Sequence, residues 1–208
     1  MIKKTLFAVI CAASLSFPVQ AQDRLSDADL LQTLKAGGNV IVVRHGATNT
    51  KQADTDPLHP ANIKKQRQLS ANGEAAAKSL GQAFKTIGLP VGTVVTSQFN
   101  RAYQTAVLAG LPKPQKTNDV TEGGLVVSPD ENDRRAAALK KLAATVPTGK
   151  TNTVIVTHKP NIVDAFGKDW FNVKEGEAAI FKPDGAGYKL IARLQIEEWP
   201  KLAGVAAK

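Results

Sequence analysis

A chain of 208 residues suits one α/β domain, since domains of roughly 100 to 200 residues bury enough apolar surface to fold alone. With 27 basic and 18 acidic residues the net charge is +9, which fits an anionic partner. The basic residues are scattered and the aromatics few, unlike nucleic-acid surfaces that interleave cations with stacking rings, so no nucleic-acid partner is expected.

Met1 to Ala21 reads as a secretory signal: Lys3 and Lys4 form the charged start, Thr5 to Phe17 the apolar stretch, and Val19-Gln20-Ala21 a small-residue cleavage site. The apolar stretch is shorter than the roughly 20 residues that span a bilayer. Cleavage near Ala21, with no stable membrane insertion, is therefore expected. Residues 22–208 then form a single domain of charge +7, exported to a compartment such as the bacterial periplasm. Cys11, the one cysteine, leaves with the signal, which excludes a thiol nucleophile, a disulfide framework and a zinc–thiolate site from the mature chain.

The first helix of that domain starts near Ser26, with Asp27 and Asp29 favoured in its opening turn by the helix dipole, and stops at Gly37-Gly38. Asn39 to Val43 is an unbroken β-branched run, the pattern of a strand buried on both faces. It ends at Arg44-His45-Gly46. A polar loop from Thr50 to Gln68 precedes an Ala-rich helix that opens at Ser70 and reaches Ile87. A second strand, Thr93 to Thr96, breaks at Ser97 and is followed by a helix carrying Arg101. Glu122 to Asp130 is a loop, Glu131 to Val146 has helical periodicity, and a third strand, Thr153 to Thr157, delivers His158. Pro160 suits the first turn of a short helix from Asn161 to Phe166. Ala178 to Phe181 and Tyr188 to Ile196, joined through Pro183-Asp184-Gly185, read as a β-hairpin. The alternation predicts a three-layer α/β/α sandwich with a mostly parallel sheet and a C-terminal hairpin, in which ligands bind beyond the carboxyl ends of the strands.

Two histidines and two arginines fall at or just beyond those strand ends. A guanidinium offers planar, permanently charged, bidentate hydrogen bonding that matches phosphate oxygens. A neutral imidazole can attack phosphorus and be freed later by water. Positioning and charge stabilisation dominate phosphoryl transfer, so four such groups form a sufficient core with no metal or other cofactor.

The segment VVRHGAT at Val42 to Thr48 resembles the RHG signature of the histidine phosphatase superfamily, which also contains the cofactor-dependent phosphoglycerate mutases. LSANGEAAAKSLG at Leu69 to Gly81, TSQFNRAYQTA at Thr96 to Ala106 and VIVTHKPNI at Val154 to Ile162 resemble that family's later segments in the expected order. The resemblance implies that His45 is the nucleophile, that Arg44 and Arg101 bind phosphate, and that His158 completes the pocket. Thr48 and Asn49 are either further phosphate ligands or a cap and a turn residue.

For the proton donor the chain departs from the family's two patterns. Lys159 stands where one branch has an aspartate after the second histidine. Glu122 occupies a place similar to the other branch's glutamate, without the motif that usually follows it. Glu122 is the first candidate acid and Glu177 the alternative. His59, Lys64 and Arg67 read as solvated loop residues at the pocket mouth. The expectation is an exported, metal-independent phosphatase acting on a small phosphorylated anion; the alternatives are a non-catalytic phosphate-ester binding protein and, ranked last, a phosphomutase.

Overall fold

A computed structural model describes residues 25–184 and 186–207; the signal segment and its cleavage site lie outside the described residues. Helix α1 (Asp27–Ala36) begins where the Ser26 hydroxyl accepts the Asp29 N–H at 3.2 Å. It ends at Gly37 and Gly38, whose φ of 75° and 74° is a conformation that side-chain-bearing residues resist. Strand β1 (Val40–Arg44) follows at once. Next come α2 (Ala71–Ile87), β2 (Val91–Ser97) and α3 (Asn100–Leu108), then β3 (Gln115–Thr117), α4 (Pro129–Ala144), β4 (Asn152–Thr157) and α5 (Lys159–Phe166). Strands β5 (Ala178–Pro183) and β6 (Tyr188–Leu194) precede α6 (Glu198–Ala206). Among the described residues no helix is long and apolar enough to cross a membrane.

The six strands form one sheet in the order β3-β2-β4-β1-β5-β6. The β3-β2, β2-β4 and β4-β1 pairs are parallel, whereas β1-β5 and the β5-β6 hairpin are antiparallel. Alternate residues of the central strands β1 and β4 feed two cores. Ile41, Val43, Val154 and Val156 pack with Leu30, Phe84, Ala102 and Trp199 from α1, α2, α3 and α6. Val40, Val42 and Ile155 pack with Leu139 and Ala143 of α4 and Ile162 of α5. These strand residues are almost wholly buried, and each such side chain contributes about 1.5 to 3 kcal/mol. The three-layer expectation therefore holds.

Three features depart from the sequence reading. Strand β2 begins at Val91, two residues earlier than expected. Strand β3 was not expected: Gln115 and Lys116 are exposed, so no apolar alternation marks them, and β2 supplies their pairing. Helix α6 was not expected either, because Pro200 interrupts its pattern; the proline falls in the first turn, where its missing N–H costs nothing. Trp199 secures that helix, fully buried with its ring 4.7 Å from that of Phe84.

Candidate active site

The carboxyl ends of the parallel strands β1, β2 and β4 share one edge of the sheet, and the candidate side chains issue from there. Arg44 ends β1 and His45 follows it; Ser97 ends β2; His158 follows β4. Gly46 leads the chain beneath α2, where a Cβ would stand 3.0 Å from the Gly73 carbonyl oxygen, so both glycines serve a close backbone approach. The Gly46 N–H donates to Thr105 Oγ1 at 3.1 Å, and that hydroxyl donates to the Arg101 carbonyl at 2.8 Å. The turn that carries His45 is thereby tied to the helix that carries Arg101.

His45 is 2 % exposed, and its Nδ1 lies 2.8 Å from the Gly46 carbonyl oxygen. A carbonyl can only accept, so Nδ1 carries the proton and Nε2 presents a bare lone pair. Burial drives the His45 pKa well below the ordinary histidine value, and the nearby His158 and Arg101 push the same way. Burial and then the charges of Arg101, Arg67 and Arg44 do the same to His158. Both imidazoles are thus neutral, edge to face with centroids 5.0 Å apart.

Arg101 is fully buried, its guanidinium 4.5 Å above the Phe99 ring. Its Nη1 donates to Asp54 at 3.0 Å and its Nη2 to Glu122, while Nε has no partner. Glu122 Oε1 also lies 3.4 Å from His158 Nδ1. Arg44 is anchored by the Val173 carbonyl at 2.8 Å and faces Glu175 Oε1 at 3.5 Å; its Nε is buried without a partner. Two neutral imidazoles, two guanidiniums with unused donors and one carboxylate therefore lie close together at the strand ends, a set of groups suited to holding a phosphoryl group.

The model of the histidine phosphatase superfamily (branch 1) matches residues 40–125, the stretch from β1 to just past Glu122. That stretch of the chain is similar to the histidine phosphatase superfamily. Solved structures similar in fold include the protein histidine phosphatase SixA complexed with tungstate: 19 % identity, TM-score 0.56, covering 77 % of this chain and 98 % of that one. A mycobacterial glucosyl-3-phosphoglycerate phosphatase with VO3 gives 16 % identity and a TM-score of 0.52, covering 74 % and 97 %. No curated protein matches the sequence significantly.

Around these central groups the remaining candidates separate. Thr48 is buried, with its hydroxyl directed to Glu175 Oε1 at 3.5 Å, whereas Asn49 is exposed and its side chain accepts the Lys51 N–H at 3.1 Å. Glu177, the alternative acid, has both oxygens engaged: Arg193 Nε donates at 2.6 Å, Gln195 Nε2 at 2.9 Å and the Lys174 N–H at 2.8 Å. That leaves it a structural carboxylate beneath the hairpin. His59 and Lys64 are exposed. Arg67 is different: it is half-buried, its Nε has no partner, and its charge is felt by both Arg44 and His158. Sequence reasoning placed it in solvent because it sits in a run of polar loop residues. Asp54 was missed altogether. Its carboxylate accepts both the Arg67 backbone N–H, at 2.9 Å, and Arg101 Nη1, pulling the loop over the pocket; nothing in its local sequence distinguishes it from Asp56.

Proposed function

We propose that this protein is a member of the histidine phosphatase superfamily and an exported phosphatase that hydrolyses phosphomonoesters, without a metal or other cofactor, through a phosphohistidine intermediate on His45. Phosphorylated sugars of the cell envelope and phosphohistidine are the substrate classes we assign. The observation that carries the reading is a neutral, buried His45 whose Nδ1 is engaged by the Gly46 carbonyl, leaving Nε2 bare, with Arg101 and His158 close enough to act on its charge. Similarity in fold to proteins described as a protein histidine phosphatase and a glucosyl-3-phosphoglycerate phosphatase supports the phosphatase class. Export is supported by the signal pattern of Met1 to Ala21.

Arg44, Arg101 and Arg67 hold the phosphoryl oxygens and stabilise the charge that spreads over them in the transition state. His45 Nε2 donates its lone pair to phosphorus, the P–O bond to the leaving group breaks, and Glu122 delivers a proton to the departing oxygen. Water then attacks the phosphohistidine, giving a proton back to Glu122, as the P–N bond returns its electron pair to Nε2. The neutrality of His45 is essential, since an imidazolium has no lone pair to give.

The test is rapid-quench of the chain beginning at Gln22 with an aryl phosphate. An acid-labile, base-stable phosphoenzyme, lost in His45→Ala and insensitive to chelators, is expected. Saturable binding with no such intermediate would replace the enzyme by a phosphate-ester binding protein.

A further inference from the structure

The hydroxyls behind His158 form a closed inventory. Thr121 Oγ1 lies 2.7 Å from the Thr117 carbonyl oxygen, which can only accept, so the single Thr121 hydroxyl proton points there. Its two lone pairs then accept the Gln98 N–H at 2.8 Å and the Ser97 hydroxyl at 3.2 Å. Ser97 has given away its only proton and accepts the Phe99 N–H at 3.1 Å. Its remaining lone pair faces His158 Nε2 at 2.7 Å. That nitrogen must be the donor. Ser97, Thr121 and His158 are themselves buried. His158 Nδ1 is left buried and without a hydrogen-bond partner, 3.4 Å from Glu122 Oε1.

We propose that Ser97 and Thr121 are positioning residues: they hold His158 as its Nε2–H tautomer, so that a bare Nδ1 faces Glu122 and the proton for the leaving group is kept between these two groups. Glu122 Oε1 is held on one side by Arg101 Nη2 and faces the bare His158 nitrogen on the other; a proton shared between that nitrogen and the carboxylate joins them by a hydrogen bond. The two pocket histidines are thereby set to opposite tautomers, His45 for attack and His158 for proton storage. The catalytic half of this proposal rests on the phosphatase reading above; the tautomer half stands on hydrogen-bond geometry alone.

The decisive variant is Thr121→Val, which keeps the side-chain shape and does not touch the ring. Without its acceptor, the Ser97 hydroxyl turns its proton on His158 Nε2, and the ring proton moves to Nδ1. Long-range 1H–15N correlation spectra are expected to show the Nε2–H form in the native protein and in Thr121→Ser, and the Nδ1–H form in Thr121→Val. Hydrolysis of an aryl phosphate is expected to lose about tenfold or more in kcat in Thr121→Val, with KM held within about twofold, and to recover in Thr121→Ser. A native His158 protonated on Nδ1, or a Thr121→Val protein unchanged in tautomer and kcat, overturns the proposal. Should Thr121→Val not fold, Ser97→Ala tests the same chain: loss of the Nε2–H signal as the single form is expected, and its persistence overturns the proposal. A native protein with the expected tautomers and the expected switch, but no hydrolysis, upholds the tautomer assignment and refutes the phosphatase reading.

Discussion

Lowering the pH from 7 to 5 should cost this protein stability through its two buried histidines, and the cost can be isolated. His45 and His158 are 2 % and 0 % exposed, and burial is the first cause of their depressed pKa values. The folded chain therefore refuses protons that the unfolded chain accepts near the ordinary histidine value of about 6.5. Because the unfolded state binds more protons, stability is fully present above that value and falls as pH drops below it. One proton is worth about 1.4 kcal/mol per pH unit, so each histidine that stays neutral while its unfolded counterpart charges can impose a slope of up to about that size. That is a large share of the roughly 5 to 15 kcal/mol that holds a typical domain together. Urea unfolding at pH 7, 6 and 5 should show the native protein losing stability more steeply than a His45→Gln/His158→Gln double variant. The variant keeps polar donors in place of the rings and corrects for the carboxylates that titrate in both proteins. Parallel pH curves for the two would refute the reasoning, since they would mean the folded pocket admits protons as readily as the unfolded chain.

Asp54 competes with any bound anion for Arg101 Nη1; Asp54→Asn should lower the inhibition constant of tungstate about three- to tenfold, as expected for removing one partly exposed charge, and an unchanged constant would exclude that competition. Arg67 has a buried Nε without a partner beside the pocket; Arg67→Gln should raise KM for a phosphomonoester about tenfold while affecting kcat less, the loss of one charge-assisted contact, and steady-state kinetics decide it. Trp199 joins α6 to the core with no exposed surface; Trp199→Ala should cost about 3 to 5 kcal/mol, read by urea unfolding, and a loss under about 1 kcal/mol would mean that α6 is an independent appendage.

Local chemistry made much of this molecule legible in advance. The β-branched runs before Arg44 and His158 could be little other than buried parallel strands, since they are apolar on both faces. Ser26, Ser70 and Gly37 marked helix ends because capping and positive φ act within a few residues. Once the strands were set, topology alone sent Arg44, His45 and His158 to one edge, which is why the core of the site was readable. What escaped depends on groups far apart in the chain. Strand β3 exists because β2 offers it an edge, and α6 because Phe84 and its neighbours receive Trp199. Asp54 reaches Arg101 across 47 positions, and Ser97 reaches His158 across 61. Hydrogen bonds of that span carry no local pattern. The sequence by itself thus determined the layers, the strand ends and the four side chains at the centre of the pocket. Only the tertiary structure decided which nitrogen of each histidine is bare, which of two glutamates faces the pocket, and which loop arginine lies beside it, because each depends on the distance between atoms that only folding brings together.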